Sequence, residues 1–76
     1  MKQLITEIVK ALVDQPEQVL IDEIEGEHTN VLEVSVAKGD MGKVLGKQGR
    51  NVQAIRTILN AASGKAAKRY ILEIVE

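Results

Sequence analysis

Apolar residues recur at helical spacing from the start of the chain, at Leu4, Ile5, Ile8 and Leu12 with Val9, Ala11 and Val13 beside them. That spacing predicts an amphipathic helix over residues 2–14. Asp14-Gln15-Pro16 ends it, because proline biases its predecessor away from helix. Residues 18–25 carry Val19, Leu20, Ile21 and Ile24 and read as a strand. The alternation slips between Ile21 and Ile24, which predicts a bulge or an ambiguous register. Gly26-Glu27-His28-Thr29-Asn30 has turn chemistry. Leu32, Val34 and Val36 then alternate with Glu33 and Ser35, predicting a half-buried strand over 31–37 that pairs back as a hairpin.

Lys38-Gly39-Asp40 leads into a short helix predicted at 41–45, with Asp40 as its N-cap. A Gly46–Gly49 turn follows, then a longer helix from Arg50 to Ala62, which Ser63-Gly64 stops with glycine at the C′ position. Residues 67–75 alternate as a final strand, with Tyr70, Leu72 and Ile74 set against Arg69, Ile71 and Glu73. The order is αββααβ. A strand–helix–helix–strand crossover brings its two strands together in parallel and with right-handed connection. The expected fold is therefore α+β, a three-stranded mixed sheet with three helices on one face.

The net charge of −1 conceals an asymmetry. Residues 1–37 hold eight acids and two bases, a net of −6. Residues 38–69 hold eight bases (Lys38, Lys43, Lys47, Arg50, Arg56, Lys65, Lys68 and Arg69) and one acid, a net of +7. The glycine turn lies in this basic third. A charge run alone is usually a solvated face. Here it coincides with a Gly-Lys-Gln-Gly turn running into a helix N-terminus, whose free N–H groups and positive dipole end suit an anion. Glycines admit a ligand close to the backbone, and Lys47 and Arg50 flank the approach. The combination predicts a phosphate-backbone clamp.

At 76 residues the chain is one domain near the small end of what folds unaided. It has no cysteine, so neither disulfide nor zinc knuckle staples it, and its core is aliphatic, with Tyr70 the only aromatic. No apolar run approaches the roughly 18 residues that span a bilayer. Met1 to Glu7 acquires an acid too early for a secretory segment, so a cytoplasmic protein is expected.

Other features point to no chemistry. Gly39-Asp40-Met41-Gly42 repeats the glycine spacing but lacks preceding apolar residues and carries an acid, so it reads as a connecting loop. Gly42 to Lys47 superficially resembles a phosphate-binding loop of nucleotide hydrolases, yet the gap is one residue short and Gln48 stands where Ser or Thr would hold magnesium. His28 has no second metal-type ligand at useful spacing. Neither Ser35 nor Ser63 has a histidine in context, and the pairs Asp22-Glu23 and Glu25-Glu27 decorate a wet strand. No catalytic residue, metal site or cofactor is expected.

The stretch Val44-Leu45-Gly46-Lys47-Gln48-Gly49-Arg50-Asn51-Val52-Gln53-Ala54-Ile55 resembles the signature of KH domains, and the αββααβ order resembles their type II, prokaryotic arrangement. Gln15-Pro16-Glu17 after the first helix and Ala54-Ile55-Arg56-Thr57 after the turn are similar to small bacterial proteins that are little more than one such domain. The similarity covers residues 1–76, with the core motif over about 30–76 and an added helix and strand over 2–25.

The resemblance implies a clamp on about four nucleotides of single-stranded RNA. Gly46, Lys47, Gln48 and Gly49 would lie along the sugar-phosphate backbone, with Arg50 at the following helix start and Lys43, Val44, Asn51 and Val52 around it. Bases would enter an aliphatic groove walled by Val44, Val52 and part of the 31–37 strand. Aromatics are not needed, whereas RRM folds and stacking platforms need them. The resemblance also implies an RNA chaperone or post-transcriptional regulator that works as a homodimer or beside a second RNA-binding protein. Single-stranded DNA binding is an alternative, as is a protein–protein adaptor.

The helix over 50–62 carries a further pattern. At about 100° per residue, Val52, Ile55, Leu59 and Ala62 share a core-facing stripe. Ala54, Ile58 and Ala61 form a second row, which suits either contact with the first helix or a dimer seam.

Overall fold

A computed structural model describes residues 1–64 and 68–75. Helix α1 (Lys2–Leu12) buries Ile5 and Val9 and ends with Val13 already extended, two residues earlier than the apolar pattern suggested. Pro16 opens a single 3-10 turn through Gln18, which delays the first strand to Leu20. Strands β1 (Leu20–Glu25) and β2 (Thr29–Ser35) are antiparallel, and β3 (Arg69–Ile74) lies parallel to β2 at the other edge. Between β2 and β3 come a 3-10 turn at Lys38–Asp40, helix α2 (Met41–Leu45) and helix α3 (Arg50–Ala62), with the bounds predicted for both helices. The fold is α+β, a three-stranded mixed sheet with three helices in the order of a type II KH domain. Lys65 and residue 67, where the last strand was expected to begin, lie outside the described residues.

The expected bulge in β1 is absent. Pairing runs unbroken from Leu20 opposite Ser35 to Glu25 opposite Asn30. Ile24 breaks the alternation because it faces away from the helices, where it meets Val31, which in turn stands opposite Ile71 of β3. The same outer face aligns Asp22, Glu33 and Glu73 across the three strands. The hairpin turn is also tighter than expected. Asn30, a turn-type residue, belongs to β2 and is buried, its side chain accepting the Gly26 N–H at 3.3 Å and donating to Glu23 Oε2 at 2.8 Å. That clip draws strand pairing up to Thr29, leaving residues 26–28 to make the turn.

On the helix side, Leu32 and Val34 of β2, Ile21 of β1 and Leu72 of β3 meet the buried faces of α1 and α3. Val52, Ile55 and Leu59 supply the α3 stripe, while Ala62, assigned to it by spacing, is exposed. Each fully buried aliphatic side chain contributes about 1.5–3 kcal/mol, and this interlock of α1, α3 and sheet is what fixes the position of the short α2 and the turn behind it.

Candidate nucleic-acid interface

The backbone between α2 and α3 turns through a conformation that L-residues avoid. Gly46 has φ 75° and ψ 171°, a region open in practice only to glycine. Gln48 has φ 59° and Gly49 φ 74°, both left-handed. The Gly46 N–H donates to the Gly42 carbonyl at 2.8 Å and the Gly49 N–H to the Gly46 carbonyl at 3.1 Å. Lys47, Gln48 and Arg50 are exposed on this turn, and α3 begins at Arg50. A helix of 13 residues thus starts from a bare glycine turn with cations on either side, the arrangement that favours an anionic backbone at its N-terminus.

The remaining predicted contact residues separate into three groups. Val44 and Val52 have 0% and 6% of their surface exposed and belong to the core. Groove walls they are not, because α2 and α3 turn these side chains inward, into the cluster that fills the core. The 31–37 strand cannot serve as a wall either. It is the central strand β2, flanked on both sides, and its outward residues Val31 and Glu33 face away from the helices. Asn51 is half-buried and its side-chain Nδ2 donates to the Lys43 carbonyl at 2.8 Å.

Lys43 is tied down as well. Its Nζ lies 3.2 Å from the Asp14 carboxylate and 3.7 Å from that of Asp40. Its pKa is raised, first through the hydrogen bond and charge of Asp14 and then through Asp40, and only partly offset by desolvation. The ammonium therefore stays charged across the neutral range. Asp40 holds the N-cap position of α2 but makes no side-chain capping bond there. Its buried carboxylate instead accepts the backbone N–H groups of Asp14 at 3.3 Å and Gln15 at 3.0 Å. Two free N–H groups past the end of α1 offer this carboxylate better donors than a helix of one turn, so it caps the chain leaving α1 instead.

A groove of about 470 Å³ opens between α3 and the edge strand β3, and sequence spacing gave no hint of it. Arg56 and Asn60 line one side, Arg69 and Tyr70 the other, with Leu59 and Leu72 beneath. Arg56 Nη2 reaches the Leu72 carbonyl at 3.5 Å. Only the basic count of the segment pointed toward these residues; the parallel placement of β3 beside α3 brings them together. Ala54, Ile58 and Ala61 are all exposed, Ile58 at 42%, so the second row on α3 does not lie under α1. Among the described residues no cluster of three metal-type ligands occurs, and no helix is long and apolar enough to cross a membrane.

Comparison with known proteins agrees with this architecture. The family model for the KhpA/KhpB KH domain matches residues 2–74. The chain is 52% identical over 75 residues to the RNA-binding protein KhpA of Clostridium acetobutylicum, covering 99% of this chain and 100% of that one. It is 49% identical over 76 residues to the protein of the same name from Chlamydia pneumoniae, covering 100% and 97%. For that of Aquifex aeolicus the identity is 47% over 76 residues, covering 100% and 96%. No solved structure matches the chain. A glycine turn between two helices, on an αββααβ frame matched nearly end to end by such relatives, leaves one assignment: the chain belongs to the KhpA/KhpB family of KH domains.

Proposed function

We propose that the chain is a non-catalytic binder of single-stranded RNA, gripping the sugar-phosphate backbone with Gly46, Lys47, Gln48, Gly49 and Arg50. The turn carries this reading. Its three positive φ values expose backbone at the start of α3, with Lys47 and Arg50 on either side. The names of the relatives support it. Bases leaving the clamp enter the groove between α3 and β3, where Leu59 and Leu72 offer an apolar floor and Arg56, Arg69 and Tyr70 offer polar edges. Lys43 contributes field rather than a direct contact, since two carboxylates already engage it. The outer row of Asp22, Glu33 and Glu73 repels a polyanion from the opposite face. Backbone-directed binding of this kind suits a chaperone or post-transcriptional role, for which the cytoplasm is the proposed setting.

The test is fluorescence anisotropy with a labelled unstructured RNA, comparing wild type with Lys47→Asp/Gln48→Asp, the variant checked by circular dichroism to be folded. Binding is expected to vanish in the variant. In wild type, with about three phosphates engaged, the log–log salt slope is expected near −2 at about 0.7 per phosphate. A matched DNA oligomer reports dependence on the 2′-OH. Equal binding by both proteins, or none by either, removes the clamp and favours an adaptor working through α3. The exposed Ala54, Ile58 and Ala61 favour a homodimer through that helix in addition to RNA binding, small residues permitting close approach and Ile58 supplying the anchor.

A further inference from the structure

One residue of the Gly46–Gly49 turn is unfavourable in isolation. Gln48 sits in left-handed space, which an L-residue avoids, whereas Gly46 and Gly49 take their positive φ readily because they lack a Cβ. The backbone hydrogen bonds of the turn, from the N–H groups of Gly46 to Gly42, Gly49 to Gly46 and Arg50 to Lys47, each close only a few residues. None of them joins a residue of α2 to a residue of α3. One side chain does. Asn51, in the first turn of α3, donates from Nδ2 to the carbonyl of Lys43, eight residues back in α2, at 2.8 Å. Lys43 belongs to the last turn of α2, whose carbonyls lack a partner within so short a helix.

Asn51 also supports the turn from beneath. A Cβ placed on Gly46 would fall 2.6 Å from Asn51 Cγ, 2.7 Å from its backbone nitrogen and 2.8 Å from its Cβ. Gly46 therefore rests directly against Asn51, and each fixes the other. We propose that Asn51 is the positioning residue of the clamp: its amide spans the two helices and selects the one backbone conformation in which Lys47 and Arg50 face a common strand. Its amide nitrogen is engaged with a carbonyl of the protein, so it acts on RNA through the turn. The affinity arm of the test rests on the RNA reading above; the exchange arm does not.

The experiment uses Asn51→Ala, with Asn51→Asp as a same-shape variant lacking the donor should alanine prove disruptive. Amide hydrogen exchange followed by NMR is expected to quicken about tenfold at Gly46 and Gly49 while Leu32 in the central strand keeps its protection. RNA affinity is expected to fall about tenfold, one hydrogen bond's worth at 1.4 kcal/mol per decade. In a cycle with Lys47→Ala, the double variant is expected to lose less than the product of the two single losses, because Lys47 is already misplaced. Unchanged exchange at the turn overturns the proposal. So does a multiplicative double variant, which makes Asn51 an independent contact. If wild type binds no RNA, the clamp reading fails and the exchange result alone decides the role of Asn51.

Discussion

The Asp40 carboxylate and the Gln15 backbone amide stand 25 residues apart in sequence and 3.0 Å apart in space. Through that bond the chain leaving α1 is fastened to the start of α2, and Lys43 completes the junction from the next turn. The segment bearing the glycine turn is thus held at both ends, by Asp40 where α2 begins and by Asn51 where α2 ends.

Removing the buried partner should matter far more than removing the exposed one. Asp40→Ala strands the Asp14 and Gln15 amides and is expected to lower stability by about 2–3 kcal/mol. Asp14→Ala deletes only an ion pair whose carboxylate side chain is 76% exposed, and should change stability by no more than about 0.5 kcal/mol. Urea denaturation of the two variants checks the contrast; equal losses would show that the ion pair, and not the amide cap, holds the junction.

The two glycines of the turn are not equivalent. Gly46→Ala meets both an excluded backbone region and overlap with Asn51, so a loss of about 3 kcal/mol or more is expected. Gly49→Ala encounters only Val52 Cγ1, at an ordinary 3.9 Å, and should cost about 1–2 kcal/mol for its left-handed φ. Gly49→Asn should recover part of that, since asparagine tolerates left-handed space better. Thermal melts monitored by circular dichroism rank the three.

Ile58→Asp tests the second apolar row of α3. The side chain is exposed in a single chain, so the variant should fold normally and sediment as a monomer, whereas the proposed dimer requires wild type to sediment at twice that mass. Analytical ultracentrifugation reads this directly, and an unchanged mass for a folded variant removes the dimer.

Most of the fold is legible in the apolar periodicity. Both central helices fall where spacing places them because Gly46, Gly49 and Gly64 punctuate a strong 3.6-residue stripe. Strand edges are less legible, since side chains rather than propensity set them. Asn30 looks like turn chemistry and serves as a buried clip, and Ile24 looks like a register slip and is an outward residue with apolar neighbours across the sheet. For the site, composition and glycine spacing mark the turn, but cannot distinguish a free cation from an engaged one. Lys43 and Lys47 read alike in sequence, and only the fold brings Asp14 to Lys43. Likewise the groove beside β3 depends on which strand lies at the edge, a matter of tertiary pairing.

Because β2 and β3 run parallel, the chain cannot reach its third strand by a tight reversal; it must travel back across the sheet through α2, the glycine turn and α3. The turn proposed to grip RNA is part of the tether itself. A molecule in which that tether is malformed cannot seat β3, and so leaves the unpaired edge of its middle strand open to proteases and to aggregation. Turn geometry and strand pairing therefore fail together when α2 and α3 cannot form, whereas a change confined to the exposed side chains of the turn leaves the sheet closed.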